Sequence, residues 1–184
     1  MSALLFIFNA LQYLLIAAFL LRVLLPLARA NMRNPFSQAV LRFTNPIVIP
    51  LRRVLRPIGR IDTASFVALL LVQLATTLIV LLIVRHGIPS PSAILLHIFM
   101  ALLYSLVQLY FYALLLYAVL SWIAPDAYSP GNELLTSLCS PLLRPVRRWI
   151  PPIGGLDLSA LFVLIGLGAL LALLQNEFRY YFLY

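Results

Sequence analysis

The sequence contains no lysine, a single cysteine and only five acidic residues. The lone Cys139 excludes a disulfide within the chain and any metal site built from several cysteines. Only 10% of the residues are charged, whereas 64% are hydrophobic and the mean hydropathy is +1.04. A water-soluble domain of 184 residues would not have enough polar side chains to cover its surface, so lipid must surround much of the chain.

Four long apolar stretches account for this composition, and each predicts a transmembrane helix. The predicted spans cover about residues 4–27, 63–84, 98–122 and 158–176. Residues 93–97 form either an interfacial turn before the third span or part of a strongly tilted helix. The first stretch is not a cleavable signal peptide, because it lacks a basic leading region and its apolar run is too long. Arg22, near the end of this span, is expected to extend toward the headgroups.

A motif that occurs twice, 95 residues apart, organises the chain. The first copy, residues 45–65, reads NPIVIPLRRVLRPIGRIDTAS, and the second, residues 140–160, reads SPLLRPVRRWIPPIGGLDLSA. When the alignment is extended back to Pro35 and Pro130, nine of its 31 positions are identical, whereas chance predicts roughly two. The chain is therefore a tandem duplication, and repeats of this kind decide the architecture.

The duplication divides the chain into a first repeat over residues 1–92 and a second over residues 93–184. The two copies have an Arg-Arg pair, three prolines, a glycine and an aspartate at aligned positions. We expect the prolines and the glycine to shape turns and the aspartate to cap a helix. These residues are Pro46, Pro50, Pro57, Gly59 and Asp62 in the first copy and Pro141, Pro145, Pro152, Gly154 and Asp157 in the second.

Each copy of the motif is preceded by a segment that predicts a helix. Asn34 and Ser129 are placed to cap these helices, with Pro35 and Pro130 at the first helical position. In the segment before the first copy, the apolar residues at positions 36, 39, 40 and 43 have the spacing of one helix face. We expect this short helix to lie in the membrane interface with Arg42 toward water.

The prolines of the motif predict a break in this helix. Pro50 has no N–H to donate to the carbonyl of Pro46, so the two prolines do not fit comfortably in one helix interior. We therefore predict a turn after the first helix, followed by one or two helical turns that begin at Pro50.

The distribution of arginine predicts the orientation in the membrane. The segments after the first and third spans carry ten of the thirteen arginines, whereas the loop after the second span and the tail carry one each, Arg85 and Arg179. The positive-inside rule then places both motifs in the cytoplasm and both termini outside. The predicted fold is an all-α integral membrane protein, with four transmembrane helices arranged as two parallel hairpin repeats. Each hairpin has a cytoplasmic interfacial amphipathic segment.

Two aspartates of the motif have alternative interpretations. Asp62 and Asp157 each stand directly before an apolar helix, where a carboxylate is a favoured cap that the helix dipole stabilises. A cap that is also bonded by an arginine of its own motif fits the spacing. The alternative is a paired carboxylate site for cations or protons between the repeats. We favour the cap, because it needs no further role to explain the residue.

The paired arginines, Arg52 and Arg53 in the first copy and Arg147 and Arg148 in the second, indicate a surface for an anionic partner. Anionic lipid headgroups need only charge at the cytoplasmic face, whereas a site for a partner protein needs convergent geometry. We therefore favour lipid contact. Because the charge lies between apolar runs, we expect no direct contact with nucleic acid.

The remaining polar residues do not predict catalysis or a cofactor. Neither His86 nor His97 has a second ligand one helical turn away, so we expect no metal site. Polar residues within the spans predict hydrogen bonds between helices, and less readily the lining of a pore. These residues are Asn9, Gln12, Gln73 and Gln108. Gly166 and Gly168 give the last span a face of small residues for close packing.

The two motifs, NPIVIPLRRVLRPIGRID and SPLLRPVRRWIPPIGGLD, resemble the signature of the YggT family of small integral membrane proteins over nearly the whole chain. The first copy departs from the pattern at Arg56, where a Pro-Pro pair such as residues 151–152 is typical. The resemblance implies a bacterial inner-membrane protein. It also implies links to envelope organisation and osmotic-stress tolerance, and in chloroplast relatives to cytochrome maturation and nucleoid distribution.

Because the family supplies no agreed molecular activity, the resemblance assigns no site beyond the motif. Our first hypothesis is a non-enzymatic scaffold or assembly factor that contacts anionic lipid, another membrane protein or a second copy of the chain. The second is a small ion channel or transport subunit, and a weaker third is an accessory role in cofactor delivery.

Overall fold

The computed structural model describes residues 3–58, 62–84, 90–123, 129–148 and 158–182, and the regular elements within these ranges are six α-helices. The prediction of an all-helical protein is therefore confirmed for this part of the chain. In chain order the helices are α1 (Ala3–Leu27), α2 (Pro35–Arg52), α3 (Thr63–Val84), α4 (Pro91–Ile123), α5 (Pro130–Arg147) and α6 (Leu158–Phe182).

Three of these helices are long and apolar enough to cross a membrane. Their apolar parts are Phe6–Leu27 of α1, Thr63–Leu82 of α3 and Pro91–Ser121 of α4. A helix needs about 20 predominantly apolar residues to span the hydrocarbon layer. The corresponding part of α6, Ser159–Gln175, is shorter. The helices are those of an integral membrane protein, and the fourth crossing stays a prediction.

The third apolar stretch forms one helix without interruption. α4 runs from Pro91 to Ile123, so residues 93–97 are part of it and the alternative of a separate interfacial turn is wrong. At 1.5 Å per residue this helix is about 50 Å long, well over the thickness of a hydrocarbon layer of about 30 Å.

The helices between the spans begin as the sequence predicts. The side chain of Asn34 accepts a hydrogen bond from the backbone N–H of Phe36 at the start of α2. Ser129 accepts one from the backbone N–H of Asn132 at the start of α5. In both helices the first helical residue is proline, whose missing N–H costs nothing there.

The predicted break at the motif prolines is wrong, because α2 continues through Pro46 and Pro50 to Arg52. Both prolines are exposed, as is Arg42 one turn earlier. The carbonyls that lose a backbone partner, those of Arg42 and Pro46, therefore lie where water or headgroups can satisfy them. The second copy repeats this arrangement, with two prolines inside α5.

The core consists of two clusters, each centred on one repeat, and Leu109 of α4 belongs to the first. The first joins α1 and α3 around Phe19 and Leu69, with Val48 of α2 buried beside them. The second joins α4, α5 and α6 around Leu114 and Leu143, and residues of α1 pack against it. The two repeats therefore share α1 and α4 as their central contact, while α2 and α5 lie against the hairpins of their own repeats.

Replacing Pro50 by alanine tests the continuity of α2. The alanine supplies an N–H to the carbonyl of Pro46, and proline costs about 3 kcal/mol relative to alanine in a helix interior. We expect Pro50→Ala to raise the free energy of unfolding by about 1 to 2 kcal/mol, measured by SDS titration in mixed micelles. Pro35→Ala, at the first helical position, is the control and should change it little. A loss of stability in Pro50→Ala would show that the motif requires a break.

Candidate functional site

A buried arginine connects all three helices of the first repeat. Arg22 of α1 is only 2% exposed. Its Nε donates to Oγ of Ser65 at 2.9 Å. Its Nη1 donates to Oγ1 of Thr44 at 2.6 Å, to Oδ1 of Asn45 at 2.9 Å and to the carbonyl of Leu41 at 3.1 Å. The guanidinium therefore holds α1 against both α2 and the start of α3.

Ser65 continues this network to the motif aspartate. Its hydroxyl accepts from Arg22 and donates to Oδ2 of Asp62 at 2.6 Å. The same carboxylate oxygen forms an ion pair with Nη2 of Arg52, a side chain that is 51% exposed. Two guanidinium groups thus surround one carboxylate, so this cluster of Arg22, Ser65, Asp62 and Arg52 carries a net charge of +1.

Asp62 occupies a capping position. Its carboxylate bonds to the backbone N–H and the hydroxyl of Ser65, in the first turn of α3. Burial by itself raises the pKa of the Asp62 carboxyl, but the hydrogen bonds from Arg52 and Ser65 and the charge of Arg52 outweigh burial and lower the pKa below its ordinary value. The carboxylate is therefore ionised at neutral pH. Its stabilising contribution is lost only as the pH falls through this lowered pKa.

The expectation that Arg22 extends toward the headgroups is wrong. A charged side chain in lipid is costly, and here buried oxygen atoms on two neighbouring helices accept its protons. One signal in the sequence was the charge itself, since an ionisable residue within a span marks a functional site by default. The other was the set of polar residues at Thr44, Asn45 and Ser65, whose convergence only the packing of α2 reveals.

The second repeat has a different residue at the position of Arg22 and at those of the three side chains that Arg22 bonds, although the motif arginine and aspartate are retained. Tyr117 aligns with Arg22, and Cys139, Ser140 and Ala160 align with Thr44, Asn45 and Ser65. Nη2 of Arg147 donates to the hydroxyl of Tyr117 at 2.7 Å, and its guanidinium carbon lies 6.0 Å from the centre of that ring. In the second repeat, therefore, the motif arginine donates a hydrogen bond to a tyrosine hydroxyl.

The predicted motif residues fall into two groups. Within the described residues, Arg52 and Arg147 bind other side chains of the protein, whereas Arg53 and Arg148 are exposed at the ends of α2 and α5. The prolines Pro46, Pro50, Pro57, Pro141 and Pro145 are exposed. The remaining predicted positions, Gly59, Pro152, Gly154 and Asp157, lie outside the described residues, so a pairing of the two aspartates stays a prediction.

The two repeats are joined where α2 and α5 begin. Nδ2 of Asn34 donates to the carbonyl of Pro130 at 2.7 Å and to Oε2 of Glu133 at 3.0 Å. Nδ2 of Asn31 donates to the other carboxylate oxygen of Glu133 at 3.0 Å. Glu133 therefore joins the start of α5 to the start of α2.

Other buried polar groups lie on one side of α3. Gln73, Thr76 and Thr77 are each less than a tenth exposed. Nε2 of Gln73 donates to Oγ1 of Thr77 at 3.3 Å, whereas its Oε1 is buried without a hydrogen-bond partner among the described residues. These contacts lie within one helix, so the predicted hydrogen bond between helices is not formed by Gln73.

The described residues include no group of three or more His, Cys, Asp or Glu side chains placed to hold a metal ion. Cys139 is buried in α5, and burial raises the pKa of its thiol to about 12.

The small residues of α6 differ in their environment. A side chain at Gly168 would contact Phe111 of α4, whereas nothing lies near Gly166. Only one of the two glycines therefore lies in a helix contact of this chain.

Taken together, the duplicated motif and the long apolar helices define a small membrane protein built from two tandem repeats. The family model of CCB3/YggT matches residues 1–83 and again residues 96–178. The chain belongs to the CCB3/YggT family, and the resemblance of its motifs is confirmed.

Relatives of this family are similar over most of the chain. An uncharacterised protein of Pseudomonas aeruginosa is 36% identical over 177 residues, which cover 96% of this chain and 90% of the relative. One from Vibrio alginolyticus is 37% identical over 168 residues, covering 91% and 90%. The uncharacterised protein YggT of Escherichia coli is 34% identical over 165 residues, covering 90% and 85%. No solved structure matches the chain.

Replacing Arg22 tests whether the buried guanidinium holds the first repeat together. Arg22→Met removes the guanidinium that donates hydrogen bonds to Asn45, Thr44 and Ser65. Hydrogen bonds to charged groups contribute about 1.5 to 3 kcal/mol each. We expect the free energy of unfolding in mixed micelles to fall by about 2 to 4 kcal/mol. This is less than the sum of the lost bonds, because Thr44 keeps its bond to the carbonyl of Val40 and Ser65 keeps its bond to Asp62.

Arg42→Met is the matched control for this variant, because Arg42 is exposed and its replacement should change stability by less than about 0.5 kcal/mol. Arg22→Lys keeps the charge but not the planar guanidinium, so we expect its free energy of unfolding to lie between those of Arg22→Met and the wild type. Equal stability of Arg22→Met and Arg42→Met would contradict the role assigned to the network.

Proposed function

We propose that the protein is a non-enzymatic scaffold or assembly factor of the bacterial inner membrane, with a role in envelope organisation or osmotic-stress tolerance. In this proposal α1, α3, α4 and α6 cross the membrane as two parallel hairpins. α2 and α5 lie at the cytoplasmic face, and both termini are periplasmic. The strong excess of arginine in the segments that contain α2 and α5 supports this orientation.

The balance of charge at α2 and α5 carries the proposal. The structure describes the side chains of two acidic residues, and both have partners: Asp62 binds Arg52 and Ser65, and Glu133 binds Asn31 and Asn34. Several arginines around these helices are nevertheless exposed, namely Arg42, Arg53, Arg56, Arg144 and Arg148. A partner that compensates them must supply negative charge, as anionic headgroups or an acidic face of a membrane protein do.

A non-enzymatic role is proposed for two reasons. The relatives carry no enzyme names, and nothing about them points to catalysis. The single thiol is buried in α5 with a raised pKa, so it does not form the thiolate that a cysteine nucleophile requires.

Reversing one exposed arginine in each repeat tests the scaffold proposal. Arg53 and Arg148 occupy aligned positions, and both side chains are exposed at the ends of α2 and α5. After crosslinking in cells and purification in mild detergent, Arg53→Glu/Arg148→Glu should retain membrane partners about tenfold less than the wild type. Each basic residue near an anionic surface contributes about 1 kcal/mol, and the double reversal replaces attraction by repulsion.

The matched control is Arg85→Glu/Arg179→Glu, which makes the same change of charge on the proposed periplasmic side. Partner retention in this variant should equal that of the wild type. Unchanged retention in the double variant, at wild-type abundance, would refute the scaffold proposal.

A small ion channel or transport subunit is the second candidate. The observation in its favour is the polar side of α3. Asp62 and Ser65 lie at one end of this helix, and Gln73, with an unpartnered buried oxygen, lies further along with Thr77. Leu69, which is 3% exposed, separates the two polar regions. In this candidate a cation displaces Arg52 from the carboxylate of Asp62 before it enters the membrane.

Flux measurements on reconstituted liposomes test the transport candidate. If it holds, the wild-type chain conducts monovalent cations and Asp62→Asn does not. Arg52→Met is the matched control, because it breaks the same ion pair but leaves the carboxylate in place. Flux that is absent in the wild type, or equal in Asp62→Asn and the wild type, would exclude this candidate.

A further inference from the structure

The surface of α2 divides into three sectors. Successive residues are about 100° apart around a helix, so each sector collects residues from several turns. The sector that faces the protein is buried and contains Ser37, Thr44 and Val48. The second sector is apolar but exposed and contains Phe36 (54% exposed), Phe43 (61%) and Ile47 (41%). The third is exposed and mainly polar and contains Gln38, Arg42, Ile49 and Arg53.

The buried arginine prevents α2 from rolling to hide its apolar sector. Arg22 bonds to Thr44, Asn45 and the carbonyl of Leu41, which together span one turn of α2. Rotation of the helix by a single residue position would break these bonds and leave a guanidinium without acceptors in the membrane. Phe43 and Ile47 are therefore held outward, whereas Phe36, at the start of the helix, also lies beside Gly131 of α5.

The polar sector beside it carries positive charge that the described part of the chain does not compensate. Arg42 and Arg53 are both exposed and are about 16 Å apart along the helix axis. Of the two described carboxylates, Asp62 is engaged by Arg52 and Glu133 by two asparagines of the junction. An apolar side next to uncompensated arginine matches the interfacial region of an anionic bilayer, where acyl chains lie beside phosphate groups.

Of the α5 residues aligned with the apolar sector of α2, only Leu142 is both apolar and partly exposed. Leu138 stands where Phe43 does but is only 1% exposed, because α5 turns it into the core with α4 and α6. Gly131 stands in the place of Phe36. α5 retains exposed arginines, Arg144 and Arg148, so it can attract anions by charge alone.

We infer that α2 is the one of the two interfacial helices that docks into anionic phospholipid, whereas α5 serves internal packing. Phe43 and Ile47 insert between acyl chains of the inner leaflet, and Arg42 and Arg53 bind the phosphate groups of phosphatidylglycerol or cardiolipin. This inference rests on the lipid contact of the proposed function and makes it specific to one repeat. Because insertion adds to charge, binding at α2 resists salt that weakens binding at α5.

Quenching of tryptophan fluorescence by brominated lipids tests the insertion of α2. The full chain, with its native Trp122 and Trp149 replaced by phenylalanine, is placed in nanodiscs as Phe43→Trp or as Ile49→Trp. Both positions are exposed on the same helix, one in the apolar sector and one in the polar sector. We expect lipids brominated in the acyl chain to quench Phe43→Trp strongly and Ile49→Trp weakly. Equal quenching of the two variants would overturn the inference.

The headgroup preference is tested on the same Phe43→Trp variant. At equal mole fraction, brominated phosphatidylglycerol should quench it about threefold more than brominated phosphatidylcholine, and Arg42→Glu/Arg53→Glu should remove the difference. Equal quenching of Phe43→Trp by the two lipids, with Arg42 and Arg53 intact, would overturn the assignment to anionic lipid.

The specificity for the first repeat is tested with an aligned pair, Ile47→Trp in α2 and Leu142→Trp in α5. We expect stronger quenching of the α2 variant, and this difference should persist in 0.5 M salt, where charge alone is largely screened. Equal quenching of the pair would show that both helices dock alike. These outcomes are independent of the crosslinking result: the scaffold proposal fails when partners persist in Arg53→Glu/Arg148→Glu, whereas this inference fails on quenching alone.

Discussion

The buried guanidinium of Arg22 is the constraint on which the first repeat depends. A charge in the membrane is tolerated only when polar groups surround it, and no single helix of this chain supplies enough of them. The acceptors come from α2 and from α3, so all three helices must assemble before the charge is satisfied. This requirement sets the rotation of α2, and with it the direction in which the arginines and aromatic residues of that helix face.

The duplication has preserved the motif and changed what surrounds it. In the first repeat the arginine of α2 pairs with Asp62, which is linked through Ser65 to Arg22. In the second repeat Arg147 meets the hydroxyl of Tyr117, which stands in the place of Arg22. A neutral ring needs fewer acceptors than a guanidinium, so α5 is free to pack by apolar contacts such as Leu138. The two copies therefore keep one architecture while their surfaces differ.

The apolar helices, the repeat and the capped starts of α2 and α5 could be predicted, because they depend on local composition and spacing. The continuity of α2 could not, because the cost of Pro46 and Pro50 depends on whether the freed carbonyls meet solvent, which only the packed structure decides. The role of Arg22 was missed for a related reason. Its acceptors lie 19 to 43 residues away, and their convergence is a property of the tertiary fold.

The length of α4 has a consequence for the bilayer itself. A helix of about 50 Å that shares a bundle with α1 and α3, which are 25 and 22 residues long, does not match one hydrocarbon thickness. The mismatch is relieved by inclining α4, by projecting its first turns from the bilayer, or by stretching the acyl chains around it. To the extent that the acyl chains stretch, the lipid next to this helix is thicker than the lipid next to α1 and α3, and the protein then imposes a gradient of thickness on its surroundings.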